Sequence, residues 1–300
     1  MEILGKIKIS QHNLLIVSLI IVSACIIFYP FLEWLVKQFL FNPWASHGFL
    51  IPFASLYILY RETKGLEYIK EEGISDVVAG GAFIAVSLAV FFTQPYIIYK
   101  LGAVMLYLLG CSIFFYGLPV LYLAFKPVMY LLFMYPIPAD FLYTYGATLS
   151  TFTGQVTFGA LKMFGLNPLY TESPLPVISL ISSAGQNLSF MIDVPCMGAF
   201  MLIGFIAFAT FIALITRGSI IRKSVAFVIG MAMMIALNIL RIISICLIGY
   251  GYGPDLALQG FHLLGGWVIF SIGIPIYLII SSKIIRRRSY VSTVDIVDSI

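Results

Sequence analysis

RKSVAFVIGMAMMIALNILRIISICL, residues 222–247, opens on two cations and then runs apolar, interrupted by Asn238 and Arg241. About 20 apolar residues in a helix cross the hydrocarbon core of a bilayer, so this stretch reads as a transmembrane helix. Asn238 and Arg241 stand three positions apart and share one helix face. Arg241 lies about 9 Å inside the outer helix end, at 1.5 Å of rise per residue. A guanidinium at membrane depth costs roughly 2.5 kcal/mol or more unless something pairs with it. A lone arginine near a helix end snorkels to the headgroups. One with an asparagine beside it on the same face belongs in a protein interior, and that makes Arg241 a candidate functional residue.

The rest of the chain is of the same kind. It has 300 residues, 61% hydrophobic and 10% charged, with a mean hydropathy of +1.04. Soluble domains carry roughly 25% charged residues, so a soluble class is excluded. Apolar segments recur at residues 13–33, 47–60, 74–94, 97–116, 119–136, 197–216, 222–247 and 262–282. The fold class expected is an all-α polytopic membrane protein of about eight transmembrane helices. It forms a single integral-membrane domain over residues 1–300, with an insertion at 136–196 and a polar tail at 284–300. Lys6 and Lys8 ahead of Leu14–Tyr29 resemble a secretory signal, but the apolar run is long and no cleavage site closes it, so a retained first helix is expected.

The net charge of +4 gives no nucleic-acid face, because the basic residues border the apolar segments. Lys6, Arg61, Lys126, Arg217 and Arg286 fall on one side; apart from Arg241, only Lys37, Lys100 and Lys162 fall on the other. By the positive-inside rule the protein is a multi-pass cell-membrane protein with both termini cytoplasmic. The loops that carry Cys196 and His262 are then extracytoplasmic.

The insertion divides in two. Residues 140–164 mix apolar side chains with Thr, Ser and Lys162, which suits an amphipathic or re-entrant helix at the interface. Residues 175–194 place β-branched and apolar residues on either side of Ala184-Gly185-Gln186-Asn187. That stretch reads as a short extracytoplasmic β-hairpin, with an irregular loop as the alternative.

Three ionisable residues occupy the outer edge of three consecutive segments: Cys196, Arg241 and His262. Cysteine supplies a nucleophile, histidine an acid or base, and arginine a fixed positive charge. Pro195 should start the sixth helix and put Cys196 in its first turn, where the helix dipole and Arg241 lower the thiol pKa. Gly198 leaves room for a substrate backbone. Asn238 supports Arg241, and His47 in Ser46-His47-Gly48 either lines the same pocket or caps its helix. Asp193 and Asp255 both lie in outer loops, and neither is chosen as an acidic partner. Cys25, Cys111 and Cys246 lie inside apolar runs as small hydrophobes. No cysteine spacing or His pair suggests a metal site, and no cofactor is expected.

Taken in order, Ser46-His47-Gly48-Phe49-Leu50-Ile51-Pro52, Tyr135-Pro136-Ile137-Pro138, Cys196-Met197-Gly198, Asn238-x-x-Arg241 and Phe261-His262 resemble the exosortase/archaeosortase family of integral-membrane cysteine transpeptidases, and an archaeosortase-like branch of it. The resemblance implies a thiol-protease-type transferase that cleaves a C-terminal sorting signal of membrane-anchored surface proteins. It also implies transfer of those proteins, through a thioester, to a lipid or other envelope acceptor. By position Cys196 corresponds to the family nucleophile, Arg241 to its essential arginine and His262 to its third catalytic residue. Met197 departs from the Ser or Thr that many members carry after the cysteine. The rival from another class is a polytopic transporter with Arg241 as an anion site. It is disfavoured by the lack of internal repeats and by polar residues near the surface instead of mid-membrane.

Overall fold

The computed structural model describes residues 11–42, 45–64, 73–172, 175–193, 196 and 198–286. Lys6, Lys8 and the tail Ser289–Ile300 lie outside the described residues. Helices dominate throughout, joined by one small sheet, so the chain is an all-α polytopic membrane protein. Four helices are long and apolar enough to span: Ile74–Thr93, Ile97–Tyr116, Ile220–Tyr252 and Val268–Ile285. A bent pair raises the number to five, again among the described residues.

Internal packing divides the chain into two units, Met1–Ile137 and Pro138–Ile300. The first holds α1 (Gln11–Ile27), α2 (Tyr29–Phe41), α3 (Ile51–Thr63), α4 (Ile74–Thr93), α5 (Ile97–Tyr116) and α6 (Leu121–Tyr130). The expected first span, 13–33, is not one straight helix: α1 and α2 meet at 87°. Pro30, in the first turn of α2, cannot donate to the preceding turn, so the apolar run breaks where hydropathy alone sees continuity. Phe28 at the corner is fully buried against Phe91 and Tyr107, whose ring centroids lie 4.7 and 5.3 Å away. The expected second and fifth spans are also shorter than a bilayer, since α3 has 13 residues and α6 has 10. In their place α3 and α6 are tied together by Ser55 Oγ donating to the Pro127 carbonyl at 2.7 Å and by Lys126 with Glu62 at 3.1 Å.

Close approach of α4 and α5 depends on Gly80. A Cβ there would stand 2.6 Å from the Phe114 nitrogen and 2.8 Å from the Gly110 oxygen, both backbone atoms that cannot rotate aside. Small residues at such crossings are what let membrane helices pack. Gly80→Ala is expected to destabilise the protein by about 1–3 kcal/mol through this overpacking. A thermal melt in detergent would read it, and an unchanged midpoint would show that the helices slide apart at little cost.

The second unit holds α7 (Ala139–Met163), β1 (Leu169–Glu172), β2 (Pro176–Ile181), β3 (Asn187–Met191), α8 (Ala199–Ile215), α9 (Ile220–Tyr252) and α10 (His262–Arg286). The helix expected over residues 140–164 is present as α7, Ala139–Met163. The hairpin reading of 175–194 also holds: β2 and β3 pair antiparallel, with Ile178 opposite Phe190 and Leu180 opposite Leu188. Gly185 closes the turn at φ 78°, a conformation that suits glycine. A third strand, β1, adds antiparallel to β2.

Alternation sends Ile178, Leu180, Leu188 and Phe190 into one core with Leu161 of α7 and Ile242, Ile245 and Cys246 of α9. Two tethers then fix how β3 lies on α9. At the hairpin tip, Ser183 N–H and Oγ both donate to the Tyr250 carbonyl at 3.0 Å. Further along, the Phe190 ring fills the space beside Gly249. From there β3 runs back along α9 and delivers the chain to Asp193 and Cys196.

Candidate active site

Ile192, the residue after β3, is held at both ends of its peptide. Its N–H donates to the Pro176 carbonyl at 2.8 Å, and its own carbonyl accepts from Ser150 Oγ of α7. The next residue, Asp193, is thereby placed, and its Oδ1 accepts the backbone N–H of Cys196 at 3.1 Å. Asn238 of α9 grips the same residue from the other side: its Nδ2 donates to the Cys196 carbonyl at 3.0 Å. That carbonyl also dictates which end of the Asn238 amide faces it, since the oxygen would be repelled.

Gly198 follows in the left-handed conformation, φ 85°, and a Cβ on it would stand 2.7 Å from Asn238 Cγ. The space at Gly198 thus receives the Asn238 side chain, not a substrate backbone, which corrects the expectation from sequence. Glycine is required twice over, by φ and by the close approach. Gly198→Ala is expected to cost about 1–2 kcal/mol for the left-handed backbone alone. It should also push Asn238 off the Cys196 carbonyl. Slower processing with a lower melting point would show both effects, whereas wild-type processing would show that Asn238 does not hold the loop.

Cys196 itself is half-buried. It does not lie in the first turn of α8, which begins at Ala199 behind the Gly198 cap, so the helix dipole is not aimed at it. Burial pushes the thiol up to about 12, with the Asp193 charge and its hydrogen bond adding to the rise. Arg241 pulls the other way but is outweighed. The expected lowering of the thiol pKa is therefore corrected: the resting group is a neutral thiol.

Arg241 is 6% exposed and Asn238 2%. The Arg241 side chain reaches the Cys196 side chain and feels the charge of Asp193. Its Nη1 lies 3.8 Å from Met201 Sδ of α8, a weak acceptor. Among the described residues no carboxylate comes within 4.0 Å of it. Its Nε and the Oδ1 of Asn238 are buried with no hydrogen-bond partner among the described residues. A buried guanidinium without an anion costs several kcal/mol of effective desolvation, about 3–5 kcal/mol where a partner has been removed. Such an arrangement is complementary to a negative charge that is not there at rest.

The structure thus brings together Cys196, Asn238, Arg241 and Gly198. It adds Asp193, which sequence reasoning had set aside. His262 opens α10 directly after a wide helical turn at Leu256–Phe261, but its side chain lies outside the described atoms. His47 belongs to the first unit, where its ring donates to the Phe133 backbone beside Gly48. Among the described residues no group of three His, Cys, Asp or Glu side chains could hold a metal ion.

A family model described as transmembrane exosortase matches residues 34–279, a span that takes in Asp193, Cys196, Asn238, Arg241 and His262. The chain belongs to the transmembrane exosortase family. No curated protein and no solved structure matches it. Family membership makes this exosortase a multi-pass membrane transpeptidase that processes sorting signals on protein substrates.

Proposed function

We propose that this exosortase works by thiol acyl transfer, with Cys196 as nucleophile and Arg241 as the oxyanion-stabilising group. Cys196 attacks a peptide carbonyl of the C-terminal sorting signal at the extracytoplasmic surface, and both chain termini are cytoplasmic. The oxygen of the tetrahedral intermediate takes its negative charge beside Arg241. Collapse expels the C-terminal helix as an amine and leaves the surface protein as a Cys196 thioester. An envelope acceptor, a lipid in our reading, then resolves the thioester, and His262 handles protons in these transfers.

The observation that carries this reading is the buried Arg241 lying against Cys196, with Asp193 near enough to be felt but no carboxylate within 4.0 Å among the described residues. A positive charge uncompensated in the ground state and compensated in the transition state lowers the barrier by differential binding. The same arrangement does not suit an anion carrier, which would need a release path for an ion held against a thiol.

Hydroxylamine tests the thioester directly. Added to membranes carrying the protein and its substrates, it should divert the acyl group and leave a C-terminal hydroxamate on released surface proteins. Release unaffected by hydroxylamine, with no hydroxamate at any new terminus, would remove the covalent intermediate from the scheme.

A further inference from the structure

The scheme above gives the protons to His262, but the geometry around Cys196 offers another group for the proton of the thiol. Asp193 is in no ion pair: among the described residues nothing basic lies within 4.0 Å of its carboxylate. Its Oδ1 already accepts the Cys196 backbone N–H at 3.1 Å, and the carboxylate also accepts from the Cys196 side chain. It is partly exposed, so a substrate amine can reach it. The clamp on Ile192, by Pro176 on one strand and Ser150 on α7, fixes the carboxylate there independently of any substrate. The charged or titratable groups that α9 turns toward this thiol are Arg241 and Cys246, and the guanidinium is a fixed cation.

We infer that Asp193 is the catalytic base of this exosortase, taking the proton of the Cys196 thiol during attack and delivering it to the leaving amine. The inference rests on Cys196 being the nucleophile. In the first step the S–H proton moves to an Asp193 oxygen, the sulfur electron pair forms the C–S bond, and the carbonyl π pair becomes the oxyanion beside Arg241. In the second step the oxyanion reforms the carbonyl, the C–N bond breaks, and the departing nitrogen takes the proton back from Asp193. The carboxylate is restored before the acceptor arrives, and the proton of the acceptor is the share left to His262. No oxidant, metal or cofactor enters the balance. The raised thiol fits this division of labour: burial first, and the charge of the same carboxylate added to it, keep the nucleophile neutral until a substrate carbonyl is in place.

The distinguishing feature is that removing the charge of Asp193 should move two readouts in opposite directions. Asp193→Asn retains an oxygen that accepts the Cys196 N–H, so the loop keeps its tether, but it can no longer accept a proton. In full-length protein in native membranes, iodoacetamide should label Cys196 several-fold faster in Asp193→Asn, because the negative charge that adds to burial in holding the thiol neutral is gone. Processing, followed by pulse-chase loss of the C-terminal helix from envelope proteins, should slow at least about 100-fold, the usual contribution of a positioned base. Site-resolved peptide mass spectrometry keeps Cys196 apart from the exposed Cys25.

Wild-type processing in Asp193→Asn would overturn the inference and leave Asp193 as a loop tether. Labelling and processing falling together in both Asp193→Asn and Asp193→Ala would overturn it as well, since a collapsed loop explains both. The underlying reading fails separately. If Cys196→Ala still processes, the nucleophile is wrong whatever Asp193 does; if Cys196→Ala is dead while Asp193→Asn is active, only the base is wrong.

Discussion

Cells carrying Cys196→Ala should retain the C-terminal helix on a set of envelope proteins that cells with the native gene strip of it. The processing rate should fall by at least about 10⁴-fold, because loss of a nucleophile that acts as part of a unit removes nearly all of its chemistry. Intact-mass measurement of C-termini in the two strains reads this directly, and the added mass at the native terminus reveals the acceptor. Stability should hardly move. Cys196 is only half-buried at the edge of the core built on Phe190 and Cys246, so losing one sulfur leaves no large cavity. That pairing of outcomes separates chemistry from folding. Identical C-termini in the two strains would end the catalytic reading and leave Arg241 to be tested as an anion site. Cys196→Ser should also fail: a hydroxyl is a weaker nucleophile, and the burial that pushes the thiol up to about 12 would hold a hydroxyl neutral more firmly.

How much of this site is legible in sequence differs residue by residue. Arg241 and Asn238 are legible because helical periodicity places them on one face and membrane burial makes a lone arginine costly. The β2–β3 hairpin is legible because alternation and Gly185 act over a few neighbouring residues. The strand β1, Leu-Tyr-Thr-Glu, has no alternation of its own and exists only through pairing with β2. The bend between α1 and α2 was hidden by hydropathy, which averages over Pro30. Asp193 was present in sequence but could not be told from Asp255. Both are loop aspartates, and only the clamp on Ile192 turns one of them toward Cys196. Gly198 carried the reverse lesson, since its space is filled by a side chain 40 positions away in the chain, Asn238. The thiol pKa failed for the same reason: a helix start expected at Pro195, ahead of the observed Ala199, gave the dipole a role that it does not have at Cys196, where burial dominates.

Arg241 carries the second large effect, and three substitutions separate its roles. Arg241→Ala should lower processing by about 10²–10³-fold or more, the loss seen when one oxyanion donor is removed. Arg241→Lys should be nearly as damaging. The guanidinium reaches Cys196 and Met201 at once while leaving Nε for an incoming oxygen, and a lysine ammonium is a single point on a differently shaped stem. A lysine at this depth can also shed its proton and lose the charge altogether, which arginine does not. Arg241→Met distinguishes catalysis from structure. Because the resting arginine is buried in no ion pair among the described residues, an apolar side chain of similar length should leave stability unchanged or raise it by about 1–4 kcal/mol. The same variant should lose processing as fully as Arg241→Ala. A thermal melt in detergent set against pulse-chase processing reads both axes for all three proteins. Near-normal processing in Arg241→Lys would reduce the arginine to a point charge, and a large loss of stability in Arg241→Met would make it a structural group. An inactive but equally stable Arg241→Met protein is what a charge held in reserve for the transition state requires.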